Sequence, residues 1–215
     1  LVAAMLGARN PDLDFIISLA GPGVIGKEII LMQNQRLFEL EGATQEEIDA
    51  QLAFIERVSE HMGDAETVEA MSYEYILEMV EEMPEEERAS IGNAEDYARK
   101  VAAQMAQQYG NASFESFMNY NPAPDLAQTS IPVLAIFGGK DIQVDAEQNA
   151  PAVEAALAEA GNEDYEIVVL PDANHLFQAA DIGSLAEYST LAGEFTPDLL
   201  PTIIGWLHEH VSVVE

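Results

Sequence analysis

Two apolar runs of strand length, at 133–137 and 165–170, stand on either side of one helical segment at 146–160. Val133-Leu134-Ala135-Ile136-Phe137 is continuously apolar, the pattern of a strand covered on both faces rather than on one. Between the runs, Ala152, Val153, Ala156 and Leu157 recur at helical spacing, and Gly161-Asn162 ends the segment. A third run, Phe15-Ile16-Ile17-Ser18-Leu19, is bounded by Asp12-Leu13-Asp14 and by Gly21-Pro22-Gly23. Strands that alternate with helices pair in parallel and carry helices on their faces, so the chain reads as α/β.

A different pattern interrupts this one. From 24 to 119 helical periodicity dominates and strand signals are absent. Thr44-Gln45-Glu46-Glu47 is a capping box that opens a helix through Ile48, Leu52, Ile55 and Val58. Further helices are expected over 71–83, ended by Pro84, and over 96–109, ended by Gly110-Asn111. The methionines at 62, 71, 79 and 83 read as helix packing rather than as a cofactor box. The expected organisation is therefore an α/β part at 1–23 and 120–215, with a helical insertion at 24–119. Residues 1–8 read as the end of a helix stopped by Asn10-Pro11, and a last helix runs over 198–210 with Leu199, Leu200, Ile203, Ile204, Trp206 and Leu207 on its buried side.

Charge and composition narrow the functions open to such a chain. A net charge of −31 repels phosphates and argues against a nucleic-acid partner. The acids are spread widely: residues 41–100 hold 18 acidic and 4 basic side chains, so the excess reads as a solvated surface rather than a focused cation site. The absence of cysteine excludes disulfides, thiolate metal sites and a cysteine nucleophile. No apolar run approaches the roughly 18 residues of a membrane span. His61, His208 and His210 read as surface histidines; in His208-Glu209-His210 the two rings fall on different helix faces, so no metal site is expected, and no motif asks for a cofactor.

Two loop residues carry chemical potential. In open parallel sheets, ligands and reactive groups collect beyond the carboxyl ends of the strands. Asp141 follows the strand at 133–137, and His175 follows the strand at 165–170. One strand–helix–strand unit separates them, so both loops leave the same sheet edge. An Asp there can bond an imidazole, fix its tautomer and stabilise its protonated form, which makes the imidazole a general base. Spacing alone leaves two plainer readings open: Asp141 as a cap for the following turn, and His175 as an ordinary loop histidine. Asp145 reads as a helix cap and Asp172 as a solvated loop acid.

The residues around this pair add a resemblance. Pro132-Val133-Leu134-Ala135-Ile136-Phe137-Gly138-Gly139-Lys140-Asp141 resembles the acid-bearing segment of α/β-hydrolases, in which a Pro-led strand ends in a Gly-x-x-Asp turn. Leu170-Pro171-Asp172-Ala173-Asn174-His175-Leu176-Phe177 resembles the histidine loop of that superfamily, and 15–23 resembles the strand and turn after its nucleophile helix. The likeness is to bacterial esterases and acyl hydrolases of the dienelactone hydrolase and prolyl oligopeptidase-like group. It implies Asp141 and His175 as acid and histidine of a Ser-His-Asp triad. It also implies a small ester or thioester substrate, no cofactor, and a helical cap at 24–119.

The same resemblance implies a Gly-x-Ser-x-Gly elbow ahead of the acid, and the sequence holds none. Ser18 is mid-strand; Ser59, Ser72, Ser90, Ser113 and Ser116 fall in the helical block; Ser130, Ser184, Ser189 and Ser212 lack flanking glycines in the elbow pattern. The expectation is a C-terminal portion of a hydrolase, its serine and oxyanion donors lying upstream of Leu1 in the missing N-terminal half of the fold. The alternatives are a pseudo-hydrolase or binding scaffold that keeps the pair, or a peptidase or acyltransferase of the same fold. Residues 1–215 alone are predicted to be inactive and prone to aggregate through the open edge of the strand at 15–19. A soluble monomer that hydrolyses esters at a rate lowered by His175→Ala would overturn this.

Overall fold

The computed structural model describes residues 2–210; Leu1 and 211–215, with Ser212 among them, lie outside the described residues. The elements are α1 (Val2–Arg9), β1 (Ile16–Leu19), α2 (Gly26–Glu41), α3 (Gln45–Ser59), α4 (Ala65–Glu82), α5 (Glu85–Ile91), α6 (Ala94–Tyr109) and α7 (Ala112–Asn119). They continue with α8 (Ala123–Leu126), β2 (Val133–Gly138), α9 (Ala146–Glu159), β3 (Tyr165–Leu170), a 3-10 turn (Glu187–Ser189) and α10 (Leu199–His210). They form two compact units, Leu1–Gly42 with Tyr120–Glu215, and Ala43–Asn119.

The first unit is an α/β fold whose three parallel strands run in the order β1-β2-β3. Every residue of β2 is buried, as its unbroken apolar sequence requires of a central strand. Burying Val133, Leu134, Ile136 and Phe137 stabilises the unit by about 1.5–3 kcal/mol for each side chain. Among the described residues β1 pairs only with β2, and Leu19 at its end is exposed. The register sets Leu19 beside Ile136 and Gly138 beside Leu170, so β2 and β3 end together. Helix α9 starts at the cap Asp145, whose carboxylate accepts the Gln148 N–H at 3.0 Å.

The expected insertion started at 24, whereas the compact helical unit starts at Ala43. Helix α2 belongs with the α/β unit because polar contacts tie it there. The Gly26 N–H donates to the Tyr120 carbonyl at 3.2 Å, Gln148 donates to the Glu28 carbonyl at 3.2 Å, and Arg36 pairs with Asp145 at 3.0 Å. The turn before it is anchored by buried Asn149, whose Oδ1 accepts the Gly23 N–H at 2.9 Å. A Cβ on Gly23 would lie 2.4 Å from the Asn149 carbonyl oxygen, so only glycine lets the turn come this close.

The helical unit is set out by its caps. Thr44 accepts the Glu47 N–H, and the Glu47 carboxylate accepts the Thr44 N–H at 2.7 Å, completing the box expected at the start of α3. Helix α4 starts at Ala65 rather than Met71 because Asp64 caps it, accepting the Thr67 N–H at 3.1 Å. Asn93 does the same for α6 through the Asp96 N–H at 2.9 Å. Ala98, Ala102 and Ala106 are buried at four-residue spacing on α6, small enough for α4 to pack alongside. Tyr75 stacks on Phe54 with ring centroids 3.9 Å apart, and Met79 and Met83 pack against the Ile76, Val80 and Ala98 cluster.

Helix α10 buries Leu199 and Trp206 but leaves Leu200 and Ile204 half exposed, because these two sit one turn apart on a face turned from the core. His210, expected at the surface, is partly exposed and makes specific contacts there. Its ring stacks on Trp206, Nδ1 lies 2.8 Å from the Trp206 carbonyl oxygen, and Nε2 lies 3.0 Å from Asp164 Oδ1. Both partners only accept, so the ring fits best when both nitrogens carry protons. The Trp206 carbonyl first, with Asp164 and the charge of Glu209 added, holds the His210 pKa above its ordinary value against the lowering effect of desolvation. An unfolded histidine titrates near about 6.5. Stability from this latch is therefore complete below about 6.5 and lost as pH rises through the higher folded value. Urea midpoints measured across that range should fall with pH in the native protein, and His210→Ala should flatten the fall.

Candidate functional site

Strand register decides which loops meet. Because Gly138 pairs with Leu170, the segments leaving β2 and β3 emerge together at the carboxyl edge of the sheet. Two glycines then let the acid turn press against the histidine loop. Gly139 donates its N–H to the Leu170 carbonyl at 2.8 Å, and Lys140 donates to the Ala173 carbonyl at 2.9 Å. A Cβ on Gly138 would meet the Ala173 oxygen at 2.4 Å, and one on Gly139 the Pro171 oxygen at 2.7 Å. Any side chain at these positions would push the loops apart.

The approach brings Asp141 to His175. The Asp141 side chain has no solvent exposure, and its Oδ2 lies 2.9 Å from His175 Nδ1. Its Oδ1 accepts the backbone N–H of Gln143 at 2.8 Å and of Val144 at 2.9 Å. The carboxylate thus caps the following turn and binds the imidazole, one oxygen for each. A buried carboxylate is tolerated only when its oxygens are bonded in this way.

The histidine loop is shaped by Asn174, which the sequence reading passed over. Asn174 is fully buried, and its Oδ1 accepts the N–H of Leu176 at 2.9 Å and of Gln178 at 3.0 Å. Asn ahead of a tight turn is the available sequence signal, since its side chain substitutes for a backbone acceptor. Phe177 closes the turn at φ 57°, a left-handed conformation that an aromatic residue rarely adopts. Its burial and the Thr196 N–H bonded to its carbonyl at 2.7 Å hold it there. The outcome is a rigid loop that presents the His175 ring 30% exposed, its Nε2 making no hydrogen bond among the described residues.

This arrangement has a definite chemical capacity. A carboxylate that only accepts requires the proton on Nδ1, which leaves the Nε2 lone pair on the accessible side of the ring. The pair can take a proton at Nε2 and stabilise the resulting imidazolium.

The other candidate residues lie apart from this pair. Asp145 is a cap, as expected, and also pairs with Arg36 at 3.0 Å. Asp172, His61 and His208 are exposed. Ser59, Ser90, Ser116 and Ser189 donate to nearby backbone carbonyls. Among the described residues no group of three or more His, Asp or Glu side chains is placed to hold a metal ion, and no helix is long and apolar enough to cross a membrane. Two features were not foreseen. A cavity of about 680 Å³ borders the acid turn, lined by Ile142, Val169, Pro171 and Ile182 with Arg36 and Lys140, and His175 is not in its lining. Tyr188, from the 3-10 turn, accepts the Gln143 side-chain amide at 3.0 Å beside the acid.

No family model and no curated protein matches the chain. Among solved structures it is similar to MenH from S. aureus at 15% identity and a TM-score of 0.38, covering 98% of this chain and 65% of that one. It is also similar to esterase E22 at 13% identity and a TM-score of 0.36, covering 87% of this chain and 56% of that one. The chain therefore spans less than two thirds of the length of either structure.

The close approach of the two loops predicts the effect of Gly138→Ala. The added methyl should cost about 1–3 kcal/mol by overpacking and part Asp141 from His175. The checks are a lowered urea midpoint and the loss of the low-field Nδ1 proton resonance of His175. Alanine accommodated with that resonance unchanged would refute it.

Proposed function

We propose that this chain supplies the acid and the histidine of a serine hydrolase of the α/β-hydrolase type, acting on carboxylic esters or thioesters. The observation that carries the reading is the buried Asp141 carboxylate bonded at 2.9 Å to His175 Nδ1, at the carboxyl edge of a parallel sheet. The resemblance of 132–144 and 170–177 to the acid and histidine segments of that superfamily supports it. In this reading the serine and the oxyanion donors come from residues outside these 215, and the helical unit, inserted in the chain between β1 and β2, is a cap insertion.

The reaction follows from the tautomer. The serine hydroxyl attacks the acyl carbon while His175 Nε2 takes its proton, giving a tetrahedral oxyanion. Asp141 stabilises the imidazolium so formed. Collapse breaks the ester C–O or thioester C–S bond, and Nε2 returns the proton to the departing alkoxide or thiolate. Water then attacks the acyl-enzyme, Nε2 takes its proton, and that proton returns to the serine as the carboxylic acid leaves.

The test uses the protein at its natural length with short-chain p-nitrophenyl esters. His175→Ala is expected to lower kcat by about 10³-fold or more, and Asp141→Asn by about 10²–10⁴-fold, with folding retained by circular dichroism. A well-folded protein without esterase or thioesterase activity would favour a binding scaffold instead.

A further inference from the structure

The Asp141–His175 pair is braced by contacts that the proposed chemistry does not itself require. Gln143 uses two polar groups at the site. Its backbone N–H donates to Asp141 Oδ1 at 2.8 Å, and its side-chain amide donates to the Tyr188 hydroxyl at 3.0 Å. A line of contacts therefore runs from Tyr188 through Gln143 and Asp141 to His175. Burial raises the Tyr188 pKa, the Gln143 amide works against this, and the Asp141 charge raises it further, so the phenol lies within the field of that carboxylate.

The segment that carries Tyr188 is itself fixed. The Glu187 carboxylate accepts the backbone N–H of Asp181 at 2.8 Å, of Gly183 at 2.8 Å and of Ile182 at 3.3 Å. These bonds, that from Asp181 foremost, lower the Glu187 pKa. Gly183, at φ 76°, rests against the Lys140 carbonyl so closely that a Cβ there would collide with it. The segment 181–189 thus contacts the acid turn twice, through Gly183 on Lys140 and through Tyr188 on Gln143.

We infer that Tyr188 is a positioning residue for the pair: its hydroxyl, bonded to the Gln143 side chain, ties the segment 181–189 to the acid turn and holds the Asp141 carboxylate at bonding distance from the imidazole. Phenylalanine at this position keeps the ring and removes the tie. The inference rests on the reading of His175 as general base only for its effect on rate; the geometric part stands alone.

The experiment follows the His175 Nδ1 proton by NMR in the protein at its natural length, labelled with ¹⁵N-histidine. In Tyr188→Phe the resonance should move upfield and exchange with water about tenfold faster, kcat for ester hydrolysis should fall about tenfold, and KM should stay within about twofold. Gln143→Leu, which keeps its backbone N–H on Asp141, should reproduce these changes. If Tyr188→Phe does not fold, Gln143→Leu decides. A lowered melting temperature with an unmoved resonance and unchanged kcat would overturn the inference, leaving Tyr188 a packing residue. If the resonance shifts but neither the native protein nor any variant hydrolyses esters, the positioning role holds and the hydrolase reading fails. If His175→Ala abolishes hydrolysis while Tyr188→Phe leaves the resonance unmoved, the hydrolase reading holds and the positioning role fails.

Discussion

The contact on which the site depends lies between two backbones. Gly138 and Gly139 end β2 against the carbonyls of Pro171 and Ala173, with no side chain interposed. Parallel pairing of β2 with β3 brings the loops to one edge, but pairing alone leaves them a side chain's thickness apart. The absence of two Cβ atoms removes that separation. Backbone bonds from Gly139 to Leu170 and from Lys140 to Ala173 then lock the turn in place. Only after this does the Asp141 carboxylate come within bonding distance of the imidazole. The short pair is thus a consequence of main-chain packing, and the side-chain bond reports it.

The α/β class was legible because its signals are local. A continuous apolar strand, a helix with apolar spacing and a glycine stop each announce themselves within a few residues, and β2, α9 and β3 follow that reading closely. The helix boundaries that were misjudged depended on caps: Asp64 extends α4 toward its start, and α5 and α7 are too short to show periodicity. The Asp141 and His175 positions could be read from strand ends and from resemblance, and the structure brings the two together. Tyr188 could not be found in this way. It sits 45 residues from Gln143, in a stretch with no periodic pattern, and only the folded path of 181–189 makes them neighbours. The partner of His210 was hidden for the same reason, since Asp164 is 46 residues away from it in sequence.

The surplus of acid bears on how such a site can be built. With 39 acidic side chains and 8 Lys and Arg, most carboxylates have no cation to pair with. Several with structural roles turn to backbone N–H groups: Glu47 and Asp64 at helix starts, Asp145 at the start of α9 in addition to its pair with Arg36, Glu187 over three successive amides, and Asp141 over two. Such bonds act over short range and carry charge-assisted strength. Salt screens them far less than it screens ion pairs between exposed side chains. A cation beside Asp141 would compete with the imidazolium for the carboxylate. Backbone amides satisfy Oδ1 without placing a full charge there, and leave Oδ2 to His175. The net charge of −31 and the internal order of the site are therefore separable: the first belongs to the solvated surface, and the second is set by dipoles that the chain carries wherever it turns.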